Sequence, residues 1–367
     1  MSSIHSLSSL LRENLSWRKS RVETFVWVLL GIIDQGTVRL WRLASSSPSD
    51  AKTSSTIRRF ERFFASQKMC WRWRAQLCWG LAGRPKRCDL LLDRTQWCVG
   101  KTNVNVLVLA VSARRFTFPL LWTFLPHRGN SKADDCAKLL DQFIELFGSE
   151  CIGEVLADRE FGNGPMVDIL LKRNINFTIR VKADSKIYTE QGKMLSLGSL
   201  CRKTDRGQRR NQGFRLITQM QQGTFQVACS FKHRSGARGQ TSENTKPDQM
   251  ILLTTHNPAQ AIKRYRKRWK IETLFADLKT RGFNLEQSRM TAAPKLDLLW
   301  SMVALAYVWV CATVGNKQIK IQRKKHGYKA KSWFRLAQEL TRKRIRYKPE
   351  EIVQILTLNL RKIERVG

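Results

Sequence analysis

The chain has 367 residues, 42% of them hydrophobic, and carries 66 Lys and Arg against 29 Asp and Glu, a formal net charge of +37. That length can bury a sizeable core and suggests two or three domains, and the hydrophobic share is that of a globular protein, which excludes a disordered or fibrous chain. So basic a surface repels itself unless a polyanion neutralises it, so nucleic acid is the expected partner, ahead of an anionic membrane surface.

Residues 1–87 read as helical, with a Ser/Pro break at residues 45–49. Ser55 or Thr56 is placed to cap a helix that turns Ile57, Phe60, Phe63 and Phe64 inward and Arg58, Arg59 and Arg62 outward, a face suited to DNA phosphates or to solvent. Residues 25–33 are apolar but too short to span a bilayer, and no cleavage region flanks them, so no signal peptide or membrane anchor is expected there. The nine cysteines, with no C-x-x-C pair and an odd total, point to reduced thiols in a cytoplasmic protein, and none of the five scattered histidines is placed like a zinc ligand.

From Asp89 the pattern becomes strand-like. Residues 89–98, 104–111 and 115–125 are apolar or β-branched runs, a helical stretch covers 132–147, and a short strand follows at 153–158. Asn163, Gly164 and Pro165 open a helix to Lys172, and residues 176–181 form a fifth strand. This order, β-β-β-α-β-α-β, is that of a ribonuclease-H-like core over residues 88–183, which needs one more helix to carry its last acid.

Residues 184–257 read as a β-rich insertion, with strand signals at 214–218, 224–231 and 250–255. Its basic residues Arg202, Lys203, Arg206, Arg209, Arg210, Lys232, Arg234 and Arg238 suit either DNA or solvent. Asn257-Pro258 then starts, and Gly282 stops, a helix that resumes the core over 258–316. The uncharged run 298–315 reaches the lower length limit of a transmembrane span and reads equally as a helix buried against a sheet. Residues 317–367 form a basic C-terminal region, predicted helical over 317–348.

Three acids stand out. Asp93 lies in the first strand, Asp158 ends the fourth, and these strands are neighbours in such a sheet, so Glu272 on the late helix can complete a three-carboxylate site for two Mg²⁺ ions. Asp89 is a rival at the strand entrance, where exposure is expected; Glu160 stands beside a turn without a supporting donor face; Asp277 is rotated about 140° from Glu272 on a regular helix. At about 100° per residue, Tyr265, Arg268, Glu272 and Lys279 share an arc of roughly 60°, one carboxylate among phosphate-binding donors.

The spacing Y-x2-R-x3-E-x6-K met by these four residues, within YRKRWKIETLFADLKT, resembles the signature of DDE transposases of the insertion-sequence-four family, in the branch typified by transposon ten. Asp93 in LLLDRT and Asp158 in VLADREFG resemble that family's first two acidic motifs. The resemblance runs over residues 55–315. It implies cut-and-paste transposition through a DNA hairpin, with Mg²⁺ (Mn²⁺ substituting) as cofactor and a homodimer bridging two element ends and target DNA. Tyr265, Arg268 and Lys279 would contact phosphates; Trp269 would be a wedge where a base flips out, the alternative being core packing. Where relatives often carry a Trp on the strand entering this helix, the chain has Met250. The same acids would also serve a nuclease that cuts without joining, and the basic surface a domesticated DNA-binding protein.

Overall fold

The structure, a computed structural model, describes residues 2–113, 116–188, 194–199, 201, 214–217, 224–232, 248–314, 321–325, 327, 329–360 and 363. Five helices lead: α1 (Ser2–Asn14), α2 (Lys19–Gln35), α3 (Leu40–Ser45), α4 (Thr53–Ser66) and α5 (Trp71–Leu81). Helix α4 begins ahead of the expected cap and buries Phe60, Phe63 and Phe64, because these recur on one face at helical spacing. Arg58 and Arg62 are exposed on it. Arg59, expected outside, instead donates to the Thr24 hydroxyl at 2.7 Å and to the Ser20 carbonyl at 2.9 Å, and stacks 4.2 Å from the Trp27 ring centre.

The core follows in the expected order: β1 (Cys88–Val99), β2 (Thr102–Ser112), β3 (Thr117–Leu125), α6 (Ala133–Phe147), β4 (Ile152–Ala157), α7 (Gly164–Lys172) and β5 (Phe177–Val181). Strands β1, β2 and β3 form an antiparallel meander, while β1–β4 and β4–β5 are parallel. The parallel steps need crossovers, which α6 and α7 provide.

The insertion does not leave this sheet. Short strands β6 (Lys186–Tyr188) and β7 (Met194–Ser196), which the sequence pattern does not reveal, and β8 (Phe214–Ile217), β9 (Thr224–Lys232) and β10 (Asp248–Thr254) extend it to the order β3-β2-β1-β4-β5-β10-β9-β8-β6-β7. Strand β10 pairs antiparallel with β5, from Ile251 opposite Val181 to Thr254 opposite Thr178. Arg202, Lys203, Arg206, Arg209, Arg210, Arg234 and Arg238 lie outside the described residues.

After β10 comes a helical run, not one uniform helix: α8 (Pro258–Tyr265), a 3₁₀ turn (Arg266–Arg268), α9 (Trp269–Ala276) and a π turn (Asp277–Arg281). Asn257 caps its start through the Ala259 N–H at 2.9 Å. Gly282 ends it where a side chain has no room: a Cβ would stand 2.2 Å from the Asp277 carbonyl oxygen and 2.5 Å from Phe334.

Helix α10 (Ala293–Val314) is, among the described residues, the one helix long and apolar enough to cross a membrane, and 89% of its apolar 18-residue stretch is buried inside the protein. It packs against β3, α2, α5 and α11 (Trp333–Tyr347), so of its two readings the structure supplies the buried helix. Of the predicted basic helix 317–348, the first four residues lie outside the described ones; the described residues between 321 and 331 are not helical, with a bridge between Arg323 and Lys329, and the Ser332 hydroxyl caps α11 through the Arg335 N–H at 3.1 Å. Helix α12 (Pro349–Leu360) follows and packs on α1 and α5. One continuous apolar cluster runs through all these layers.

Candidate active site

Asp93 sits on β1 one step beyond the paired Leu92 and Ala157, and Asp158 follows β4 at the same level, so the parallel register places the two acids side by side. The helical run crosses in front of them. Arg268 Nη1 donates to Asp93 Oδ2 at 3.1 Å and Nη2 to Glu272 Oε1 at 2.6 Å, while the Tyr265 hydroxyl donates to Asp158 Oδ1 at 3.0 Å. The Arg94 and Arg159 N–H groups donate to Asp93 and Asp158 at 2.8 and 2.7 Å. The structure therefore brings Asp93, Asp158, Tyr265, Arg268 and Glu272 together.

Electrostatics follow from this crowding. Burial pushes the Asp93 carboxyl up to about 6; Arg268 and the Arg94 N–H oppose the rise, and the charges of Asp158 and Glu272 add to it. Burial acts the same way on Asp158, but the Arg159 N–H, Arg268 and Tyr265 outweigh it and hold this carboxyl below the usual range. Burial raises the Tyr265 phenol, which stays a neutral donor.

Lys279 lies further along, on the π turn. Its ammonium donates to the Gln96 carbonyl at 2.9 Å and pairs with Glu286 at 2.8 Å. Trp269 is 63% exposed beside Arg268, which removes the core-packing reading. Met250 is half-buried against the small cluster of Leu252, Ala261 and Tyr265.

Two of the rival acids, Glu160 and Asp89, differ from expectation, and Asp277 is turned away from the site as the helix geometry requires. Glu160 has a full donor face after all: Arg94 Nε at 2.6 and 2.8 Å, and the Ser131 N–H and hydroxyl at 2.9 and 3.0 Å. Asp89 is not free in solvent but accepts from Lys267 Nζ at 2.7 Å. Asp277 is buried toward Tyr307 and Cys311.

Sequence reading passed over Glu154, fully buried on β4 opposite Asp89. It accepts from Thr178 at 3.0 Å and from Arg264 Nη1 at 3.1 Å, with His256 Nε2 at 3.7 Å and Lys267 Nζ at 3.8 Å. A signal was present: Glu154 precedes Asp158 by four residues, as Asp89 precedes Asp93, an even spacing that puts each pair on one side of its strand.

Among the described residues no three acidic, His or Cys side chains stand close enough to grip one ion, since Arg268 bridges Asp93 and Glu272. The donor set still suits a hard divalent cation: it consists of carboxylate oxygens, and burial, with the charges of Asp158 and Glu272 added, raises the Asp93 carboxyl in the way a bound cation would offset.

A mixed α/β sheet that sets two aspartates on adjacent strands before a glutamate-bearing helix defines a carboxylate-centred site in a strongly basic protein. Over residues 117–309, just over half of its length, the chain matches the transposase DDE domain family, and it belongs to that family. The matched span contains Asp158 and Glu272 and begins after Asp93. No curated protein matches the chain.

Proposed function

We propose that the protein excises and inserts a DNA element by cut-and-paste, as a member of the insertion-sequence-four group in the branch typified by transposon ten. The observation that carries this is the gathering of Asp93, Asp158 and Glu272 around Arg268, within a chain of the transposase DDE family. The sheet order β3-β2-β1-β4-β5, with β1, β4 and β5 parallel, supports a ribonuclease-H-like core over 88–183 and 258–316, with 184–257 as the insertion and 1–87 and 317–367 as flanking DNA-contact regions.

Asp93, Asp158 and Glu272 would hold Mg²⁺. When bound, the metal supplies charge stabilisation to the attacking and leaving oxygens of an in-line displacement and lowers the pKa of a water or 3′-hydroxyl. The chain does the rest. Arg268 and Tyr265, which donate to Asp93, Glu272 and Asp158, would exchange those partners for phosphate oxygens once a cation neutralises the carboxylates, with Lys279 beyond them, and exposed Trp269 would stack where a strained hairpin loses a base. Hydrolysis of one phosphodiester frees a 3′-hydroxyl; that hydroxyl gives up its proton and attacks a phosphodiester of the opposite strand, forming the new P–O bond of the hairpin while the attacked P–O bond breaks and the flanking strand leaves with a 3′-hydroxyl. A homodimer on DNA, acting in the cytoplasm, completes the reading.

The purified protein, given Mg²⁺ and its own element ends, is expected to yield hairpin and strand-transfer products, and Asp93→Ala or Glu272→Ala to abolish cutting while DNA binding persists. Cleavage without joining would instead make it a nuclease; binding without cleavage, a domesticated DNA-binding protein.

A further inference from the structure

Resting on the reading of Asp93, Asp158 and Glu272 as the acids of the site, we propose that Glu154 is its positioning residue. Through Arg264, and with Asp89 and Lys267 beside it, Glu154 fixes where the helical run docks on the sheet and hence where Glu272 and Arg268 meet the two aspartates.

Side chains alternate along a strand, so Asp89, Leu91 and Asp93 share one face of β1, and Glu154, Leu156 and Asp158 share that face of β4 and its end. The face therefore carries two carboxylate rungs, about 13 Å apart at 3.3 Å per residue, with an apolar layer of Leu91 and Leu156 between them. The helical run meets both rungs with residues adjacent in sequence. Arg264 binds Glu154 in the lower rung while Tyr265 binds Asp158 in the upper, and Lys267 binds Asp89 while Arg268 binds Asp93 and Glu272. A shift at Arg264 or Lys267 thus reaches Tyr265 or Arg268 through a single peptide unit.

Glu154 is also tied to the sheet. Its Oε2 accepts from Thr178 on β5, whose hydroxyl lies 2.9 Å from that of Thr254 at the end of β10. Strands β4 and β5 and helix α8 therefore meet at this carboxylate, and β10 joins them through Thr178. A buried ion pair is a weak source of net stability compared with apolar packing, and its best-attested use is to fix a register. A slip of the helix by one turn, about 5.4 Å, would put Gln260 opposite Glu154 in one direction, and in the other Arg268, which would then leave Asp93 and Glu272. Arg264 and Lys267, which the basic composition would assign to DNA, are committed to this inner rung.

The test uses the full-length protein. Glu154→Gln keeps shape and the Thr178 hydrogen bond but removes the charge; Arg264→Lys keeps charge but removes the second guanidinium arm. Each variant is compared with wild type in folding by circular dichroism, in duplex DNA binding without divalent metal, in Mn²⁺ binding to the DNA-free protein by electron paramagnetic resonance, and in the Mg²⁺ midpoint for end cleavage. The expected result is a folded protein whose DNA affinity stays within about twofold, whose Mn²⁺ affinity falls about tenfold, and whose Mg²⁺ midpoint rises to match, as a misplaced Glu272 requires. If Glu154→Gln does not fold, Arg264→Lys alone decides. Wild-type Mn²⁺ affinity and Mg²⁺ midpoint, or cleavage lowered only in proportion to the folded fraction, would overturn the positioning role. A wild-type protein that fails to cut DNA, or a Glu272→Ala variant that still cuts, would instead overturn the transposase reading, and this inference with it.

Discussion

Replacing Asp277 by asparagine is expected to stabilise the fold at neutral pH and to change nothing in acid. Asp277 opens the π turn, is 4% exposed, and faces Tyr307 and Cys311 of the apolar helix. Burial pushes its carboxyl up from 3.8 to about 7, with Arg281 opposing the rise. Below the unfolded pKa both states hold the proton and no difference arises. As pH climbs, the unfolded chain releases the proton first, so the native protein loses stability relative to the asparagine variant until its own carboxyl ionises near pH 7. The slope is about 1.4 kcal/mol per pH unit, and over about three units the gap reaches about 4 kcal/mol. Urea denaturation of both proteins from about pH 4 to 8 measures it, and taking the difference cancels Asp93, whose raised pKa is common to both. A gap that stays flat across this window, or an asparagine variant less stable at pH 7, would refute the assignment of Asp277 as a buried acid that keeps its proton in the folded protein where the unfolded chain has released it.

Arg74 is 2% exposed, bonded to the Ser301 hydroxyl at 3.0 Å and the Leu120 carbonyl at 3.3 Å, and stacked 3.4 Å from the Trp122 ring centre. Arg74→Ala should cost about 3 kcal/mol in urea denaturation, with Arg74→Met recovering part through packing; equal losses would mean that the polar contacts dominate. Trp269→Ala should leave unfolding within about 0.5 kcal/mol of wild type, as its exposure requires, while hairpin formation on end DNA falls; a stability loss with normal hairpins would return Trp269 to a packing role. Arg58→Ala and Arg62→Ala should each reduce the slope of log affinity against log salt by about 1 in fluorescence anisotropy with duplex DNA, and an unchanged slope would remove the α4 face from the DNA interface.

The catalytic-looking geometry was legible where the chain's periodicity is strong. Strands β1 to β5 announce themselves as apolar runs, and the even phase of Asp93 and Asp158 within them fixes their shared face. The helical run was legible as helix, but α, 3₁₀ and π turns place apolar residues at such similar spacings that the breaks at Arg266–Arg268 and Asp277–Arg281 leave no mark in the sequence. Glu154 was hidden because a single acid inside an apolar strand reads as noise until Arg264, from more than a hundred residues later, is seen to meet it. The three-residue strands β6 and β7 are too short to show alternation. The run around Ala293–Val314 was ambiguous because burial in protein and burial in lipid select the same side chains.

The pairing of β10 with β5 bears on how such a chain can change over evolutionary time. The 184–257 segment sets out from the end of β5, and its last strand, β10, comes back hydrogen-bonded to β5, with α8 starting four residues after β10 ends. Its two anchor points are therefore fixed by each other and not by whatever lies between them. Lengthening such a loop costs only about 0.6 kcal/mol per doubling. Descendants can thus rewrite that segment, in size and in charge, while the helix bearing Glu272 still sets out from the same place.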